Sequence, residues 1–295
     1  MPQVAVAVAA AAAGGAAGAA VSGVVATAVV GALAATAVTV AGSAILLKKP
    51  KPPQLQQEAQ GVLSLVRSSV EPHKIVYGTR RLSGTIVFME TTGTTQYTDT
   101  ETDEVKTFRG DNAAFHMVIA LAGHEVEDIG DIVIDDETIT LDGNGEVVES
   151  KFHTGTAPAI RVKKHLGTAD QAADPDLVAE VDKWTENHRL RGVAYIAVRL
   201  IFDRNVWPNG IPNISAIVKG AKVYDPRTDT TSFSNNWALC VRDYLTNSVY
   251  GLGAGVEEID DSSIIAAANI SDEDVNLKEG GTQPRYTCDG VVDTG

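Results

Sequence analysis

The first 47 residues contain no charged side chain. Ala, Val and Gly fill almost all of the stretch from Val4 to Leu47, and Lys48-Lys49-Pro50-Lys51-Pro52-Pro53 stops it abruptly. A segment this apolar is driven out of water, into partner subunits or a lipid bilayer. Its high hydrophobicity and zero charge are the reverse of the composition that keeps a chain disordered. A secretory signal fits poorly, because no Lys or Arg precedes Lys48 and the run far exceeds a signal core. Val24 to Leu47 is long enough for one membrane-spanning helix, with Lys48, Lys49 and Lys51 as an interfacial stop. Its large apolar residues offer only about 3–6 kcal/mol toward insertion. Two small-residue ladders, Gly14-Gly18-Ser22 and Gly23-Thr27-Gly31-Ala35, would let helices approach closely in lipid or in a tight oligomer. As one helix the segment would extend about 65–70 Å. A break near Gly14-Gly15 is an equal alternative.

The formal net charge of −14 therefore belongs wholly to residues 48–295. An acidic surface argues against direct binding to DNA or anionic lipid, which needs clustered Lys and Arg. It suits a wall past which DNA slides without sticking. The two cysteines, Cys240 and Cys288, lack metal-binding spacing and are far from a disulfide framework. A disulfide between them is allowed; two buried free thiols are the simpler reading.

Residues 48–53 read as a stiff basic linker. Leu55, Ala59, Val62 and Val66 recur at helical spacing, predicting a short amphipathic helix over 54–69 that Pro72 follows. Strands are expected at Ile75–Tyr77 and Thr85–Met89, and an exposed hairpin over the Thr-rich 91–108. Phe115 to Ala122 is a continuous apolar run, as in a strand buried on both faces. Ile132–Leu141 and Glu146–Phe152 should pair across Asp142-Gly143-Asn144-Gly145. Asp174-Pro175 predicts a capped helix running to about Arg191. Val193–Phe202 and Ile214–Tyr224, the latter interrupted at Gly220, are strands. Ser234 is read as the cap of a helix with Trp237, Cys240, Val241, Tyr244 and Leu245 on one face. Asp260-Asp261 opens a last helix through Asn269. The sum is an α+β, β-rich fold with short helices behind an apolar N-terminal helical segment.

Motifs that carry chemistry are scarce. His116 and His124 bracket the buried strand, but His124-Glu125 is not the zinc-protease spacing. Structural histidines are the reading preferred. Asp142, Asn144 and Glu146 imitate a calcium loop, yet the glycine and distal glutamate of an EF-hand are missing. Gly251-Leu252-Gly253-Ala254-Gly255 has its third glycine misplaced for dinucleotides. Glu257, Glu258, Asp260 and Asp261 read as a solvated helix start. No catalytic, cofactor-binding or metal-ligating residue is assigned, and the chain is not expected to be an enzyme.

The specific signal lies near the C-terminus. It consists of Ser234-Asn235-Asn236-Trp237-Ala238-Leu239-Cys240, Asp243-Tyr244-Leu245-Thr246, Tyr250-Gly251-Leu252-Gly253, and Gly280-Gly281-Thr282-Gln283-Pro284-Arg285-Tyr286-Thr287-Cys288. This run resembles the tail-tip host-specificity protein J family of lambda-like long-tailed phages, with its NxAWCLxDxLT…RYGxG and GGTEPRFTCN segments. Residues 72–88 and 115–134 share the resemblance. It implies a tail-hub-type β fold with an inserted α/β segment, and a homotrimer that closes the tail tube. It also implies contacts with other tail-tip and tail-tube proteins, with a tape-measure protein in the lumen, and with the host envelope. It implies no catalytic residues and no sequence-specific nucleic acid. The expected divisions are the apolar segment 1–47, the linker 48–53, a first hub half 54–135, an insertion 136–192 and a second half 193–295. The chain is read as the N-terminal part of a longer protein. Trp237, Cys240, Tyr244, Tyr286 and Cys288 are the core or interface candidates. The alternative is a bacterial envelope binding module anchored by one N-terminal membrane helix. A peptidoglycan hydrolase is weaker still.

Overall fold

A computed structural model describes residues 72–294. The expected apolar helical segment 1–47 with its small-residue ladders, the linker 48–53 and the helix 54–69 lie outside the described residues.

Strand β1 (Lys74–Tyr77) turns at Gly78 into β2 (Thr79–Leu82). Gly78 has φ +65°, and a Cβ there would stand 2.2 Å from the Cys288 carbonyl oxygen, so only glycine fits this turn. Next comes a long hairpin, β3 (Thr85–Thr98) and β4 (Val105–Ala122). The expected strand 85–89 and the expected hairpin over 91–108 are thus parts of one hairpin. Strand β5 (Asp128–Ile134) turns into β6 (Glu137–Ile139) through Asp135-Asp136, both at positive φ. A two-residue turn with that backbone matches strand twist.

This corrects the pairing expected around Asp142–Gly145. The turn itself is present, since Asp142 Oδ1 accepts from the Asn144 and Glu146 amides. Its flanks share only the isolated bridge Leu141–Val147, and Ser150–Phe152 is a 3-10 turn. Val147 N–H donates to Ile160 O and Glu146 bridges to Arg161. The segment is drawn to a different strand, leaving β5 to pair with the nearer β6.

Short β7 (His153–Thr154) and β8 (Ala157–Pro158) precede β9 (Ile160–His165). Helix α1 (Pro175–Glu180) is capped by Asp174, whose carboxylate accepts from Leu177 N–H with Pro175 in the first turn. It is much shorter than the helix expected to reach Arg191. The chain unwinds at Val181, and that puts both Val181 and Trp184 into the apolar cluster of Val118, Leu177, Tyr195 and Ala197.

Strands β10 (Ala194–Ile201), β11 (Ile214–Lys219) and β12 (Lys222–Asp225) follow as expected, with Gly220 between the last two. A Cβ on Gly220 would lie 2.0 Å from Val76 O. Then come β13 (Thr230–Phe233), α2 (Trp237–Thr246), α3 (Asp261–Asp272), β14 (Asp274–Asn276), β15 (Thr282–Pro284) and β16 (Gly290–Asp293). The α2 cap is Asn236, which accepts from Ala238 and Leu239, not Ser234, which instead accepts from Asn236 N–H. Helix α3 begins after the Asp260 cap as expected and runs three residues past Asn269.

Two antiparallel four-stranded sheets organise these elements, in the orders β3-β4-β10-β9 and β2-β11-β5-β6. Alternate residues of each pack together. Met117, Ile119, Ile196 and Val198 of the first sheet share one core with Ile129, Ile132, Ile214 and Val218 of the second. The other face of β4 and β10 is covered by α1 and the Trp184 turn. Strand β10 is therefore buried along its whole length, and the apolar run 115–122 has its explanation. A separate cluster joins Ile75, Tyr77, Val223, Leu239, Cys240 and Ala268, around β1, β12, α2 and α3.

Candidate functional site

The face of the first sheet beneath α1 is not wholly apolar. Cross-strand register places Glu90 opposite His116, His116 opposite Arg199, and Arg199 opposite Arg161. A row of ionisable groups thus crosses all four strands. Two facing arginines repel and need compensation. Glu146 and Glu180 supply it. Arg199 Nη2 donates to Glu146 Oε1 at 2.6 Å, and Arg199 Nη1 donates to Pro158 O at 3.2 Å. Arg161 donates through both terminal nitrogens to Glu180, at 3.2 and 3.0 Å, and its Nε lies 3.2 Å from Asp176.

The same carboxylates close the sheet. The free edge of β3 presents unpaired amides, and Thr98 N–H donates to Glu146 Oε2 (2.8 Å) while Gln96 N–H donates to Glu180 Oε1 (3.1 Å). Thr95 Oγ1–H donates to Glu180 Oε2 and Arg161 Nη1 donates to Gln96 O. Edges β3 and β9 have no ladder between them, so side chains take the place of one. This covers an edge that would otherwise pair with another chain.

The electrostatics follow from burial. His116 is brought down to about 4, by burial first, with Arg161 and Arg199 adding to the fall and Glu180 opposing it. His116 is thus neutral, with Thr92 Oγ1 at 3.0 Å from Nε2. Burial raises Glu180, but Arg161 more than reverses this and holds its carboxyl below the ordinary range. Asp174 is likewise raised by burial and brought net low by His165 and the Leu177 amide. Burial pushes the Arg199 guanidinium down to about 10, so it remains charged at neutral pH. Glu146, Glu180, Asp174 and Asp176 are engaged by arginine, histidine or a backbone amide, and Glu90 by Lys183. Such groups hold a structure together.

The remaining candidates sort clearly. His124 Nε2 accepts from Val76 N–H at 2.9 Å and its Nδ1 lies 2.7 Å from Glu125 O, so both nitrogens are engaged in tying β1 to the sheet. Asp243 accepts from Tyr77 and Tyr250 hydroxyls at 2.6 and 2.9 Å. Cys240 is buried in the α2 cluster, and Tyr244 and Cys288 pack half-buried against it. Trp237 is 52% exposed and Tyr286 53%, so these two stand on the surface and not in the core. The helix face expected to carry Trp237 inward is replaced by Ala238, Leu239, Cys240 and Arg242. A polar cleft of about 560 Å³ opens beside Glu90, Gln96, Glu180 and Lys183, and an apolar one of about 460 Å³ beside Phe115, Phe202, Trp207 and Ile211. Among the described residues no group of three His, Cys, Asp or Glu side chains is placed to hold a metal.

Sequence comparison connects this chain to the tail tips of phages. A curated relative is the tip attachment protein J of Escherichia phage SECphi27, 31% identical over 156 residues. The match takes in 45% of this chain and 13% of that protein, so the chain spans only a small part of its relative's length. The resemblance to the J proteins read from the motifs is shown by this match. No family model matches the chain. A chain of the virion of a native gene transfer agent particle is similar over 55% of this chain and 29% of its own, at 18% identity and a TM-score of 0.34. That value is too low to carry any argument about the fold.

Proposed function

We propose that this chain builds the hub of a siphophage tail tip as a homotrimer, closing the tail tube and supporting host attachment and DNA ejection. The carrying observation is the 31% identity to a tip attachment protein. Support comes from the charged row being committed to the interior of the first sheet, which suits a load-bearing part. The strand order supports a hub split by an insertion: residues before 135 and after 193 form the centres of both sheets, while 136–192 contributes the edge strands β6 and β9. Exposed Trp237 and Tyr286 are interface residues in this reading. In this reading the apolar segment 1–47 is the part that passes into the host membrane when DNA is released.

Labelling intact virions with antibody against the C-terminal third tests the location; the expected label is at the tail tip, and label on membranes of uninfected cells overturns it. Virions lacking residues 1–47 should adsorb normally and eject DNA poorly. Normal infection by them removes the membrane role.

A further inference from the structure

We propose that Cys240 and Cys288 form a reversible dithiol–disulfide site which, when oxidised, ties the chain between β15 and β16 covalently to the first turn of α2.

Several contacts hold the two thiols together. Cys240 is 2% exposed, and its N–H donates to Asn236 O, the helix cap. Its thiol donates to Ser234 O at 3.7 Å. Cys288 N–H donates to Asn235 O at 2.7 Å, and Asn236 and Thr287 pair as a β-bridge. The 287–289 segment is therefore laid along the residues that open α2. It is pinned from the other side as well, since Thr79 N–H donates to Asp289 Oδ1 at 2.7 Å and Gly78 packs against Cys288 O. Both side chains belong to the cluster around Leu239 and Ala268. The two thiols influence each other's acidity. Cys288 is brought below its ordinary value by Cys240, and Cys240 is raised, by Cys288 first and burial second.

The two thiols consequently have different roles. Cys288 is half-buried whereas Cys240 is buried, so Cys288 is the thiol that a small disulfide reaches first and is the attacking group. Its thiolate attacks one sulfur of a low-molecular-weight disulfide, the co-reactant, and expels one thiolate, leaving a mixed disulfide. Cys240 then loses its proton to solvent and attacks the Cys288 sulfur, expelling the second small thiol. Two protein thiols are oxidised and one small disulfide is reduced. The product closes a loop containing α3, β14 and β15. This assignment stands independently of the tail-tip reading.

The test treats the reduced full chain, held in mild detergent, with oxidised glutathione. It is quenched with N-ethylmaleimide and read by intact mass and peptide mapping. The expected product carries a Cys240–Cys288 link, two hydrogens lighter and free of glutathione. Cys240→Ser should instead trap one glutathione on Cys288. Cys288→Ser should react at least about tenfold more slowly at its remaining buried thiol. Glutathione retained on the unsubstituted chain, links between chains, or no reaction at all overturns the proposal. The mapping of the unsubstituted chain decides it even if a variant misfolds.

Discussion

Glu146 joins the edge of β3 to the buried Arg199, and its loss has a size that the contacts define. In Glu146→Ala, Arg199 keeps a charge that is 2% exposed and loses its only carboxylate. Removing one partner of a buried ion pair costs about 3–5 kcal/mol. The Thr98 amide also loses its acceptor, and a buried unsatisfied N–H costs about 1–3 kcal/mol. The two overlap, giving an expected loss of about 4–6 kcal/mol. Equilibrium urea unfolding followed by tryptophan fluorescence reads this as a midpoint lower by roughly 2 M. The control replaces both charges, Glu146→Leu with Arg199→Met. It should finish within about 2 kcal/mol of the parent, because desolvation of both ions disappears with their attraction. A single variant within about 1 kcal/mol of the parent refutes the closure argument. So does a double variant less stable than the single one.

Stability should fall in acid in two stages. His116 sits at about 4 in the fold and about 6.5 when unfolded, so its contribution is intact above about pH 6.5 and is lost on descent toward 4, on the order of 3 kcal/mol. His124 is lowered by burial and acts in the same direction. Glu180 and Asp174 are held low in the fold, so their contributions persist above their unfolded values and vanish as pH falls through the folded ones. Urea midpoints measured across this range should decline, His116→Gln should flatten the upper stage, and a midpoint unchanged between neutrality and about pH 5 contradicts the account. Gly220→Ala forces a methyl against Val76 O and should cost about 3 kcal/mol by parting β1 from β12; an unchanged melting temperature would show that the backbone yields there.

Local physics was readable from the sequence where one segment decides its own conformation. Asp174-Pro175 begins a helix because cap and fixed φ act within three residues. Gly220 interrupts its strand because a neighbouring carbonyl leaves no room, and a lone glycine in a β-branched run signals that. The end of α1 was not readable, because Leu177, Val181 and Trp184 keep helical spacing and all join one cluster although the helix stops at Glu180. Asp135-Asp136 passed unnoticed as a turn, since aspartate takes left-handed backbone less often than the Asn-Gly type of pair does. The charged row was beyond reach altogether. Glu90, His116, Glu146, Arg161, Glu180 and Arg199 are scattered over more than a hundred residues, and apart from His116, read as a structural histidine, none stands out as buried. Glu146 in particular belongs, by its own neighbours, to a polar turn. Only strand register brings these groups together.

The pairing of β1 with β16 has a mechanical consequence. Lys74 stands opposite Asp293, and Thr294 N–H reaches back to His73 O, so the chain enters and leaves the described fold at one point. Tension between the upstream and downstream flanks therefore pulls on one end of an antiparallel ladder. Its hydrogen bonds then yield one after another, from the outermost inward, and never share the load as they would in shear. A pull along the chain peels this short ladder at low force before it strains either four-stranded sheet. The β1 strand is also held on its other side, by Gly123 N–H on Lys74 O, His124 on the Val76 amide and Ala221 N–H on Val76 O, and these contacts resist the peeling.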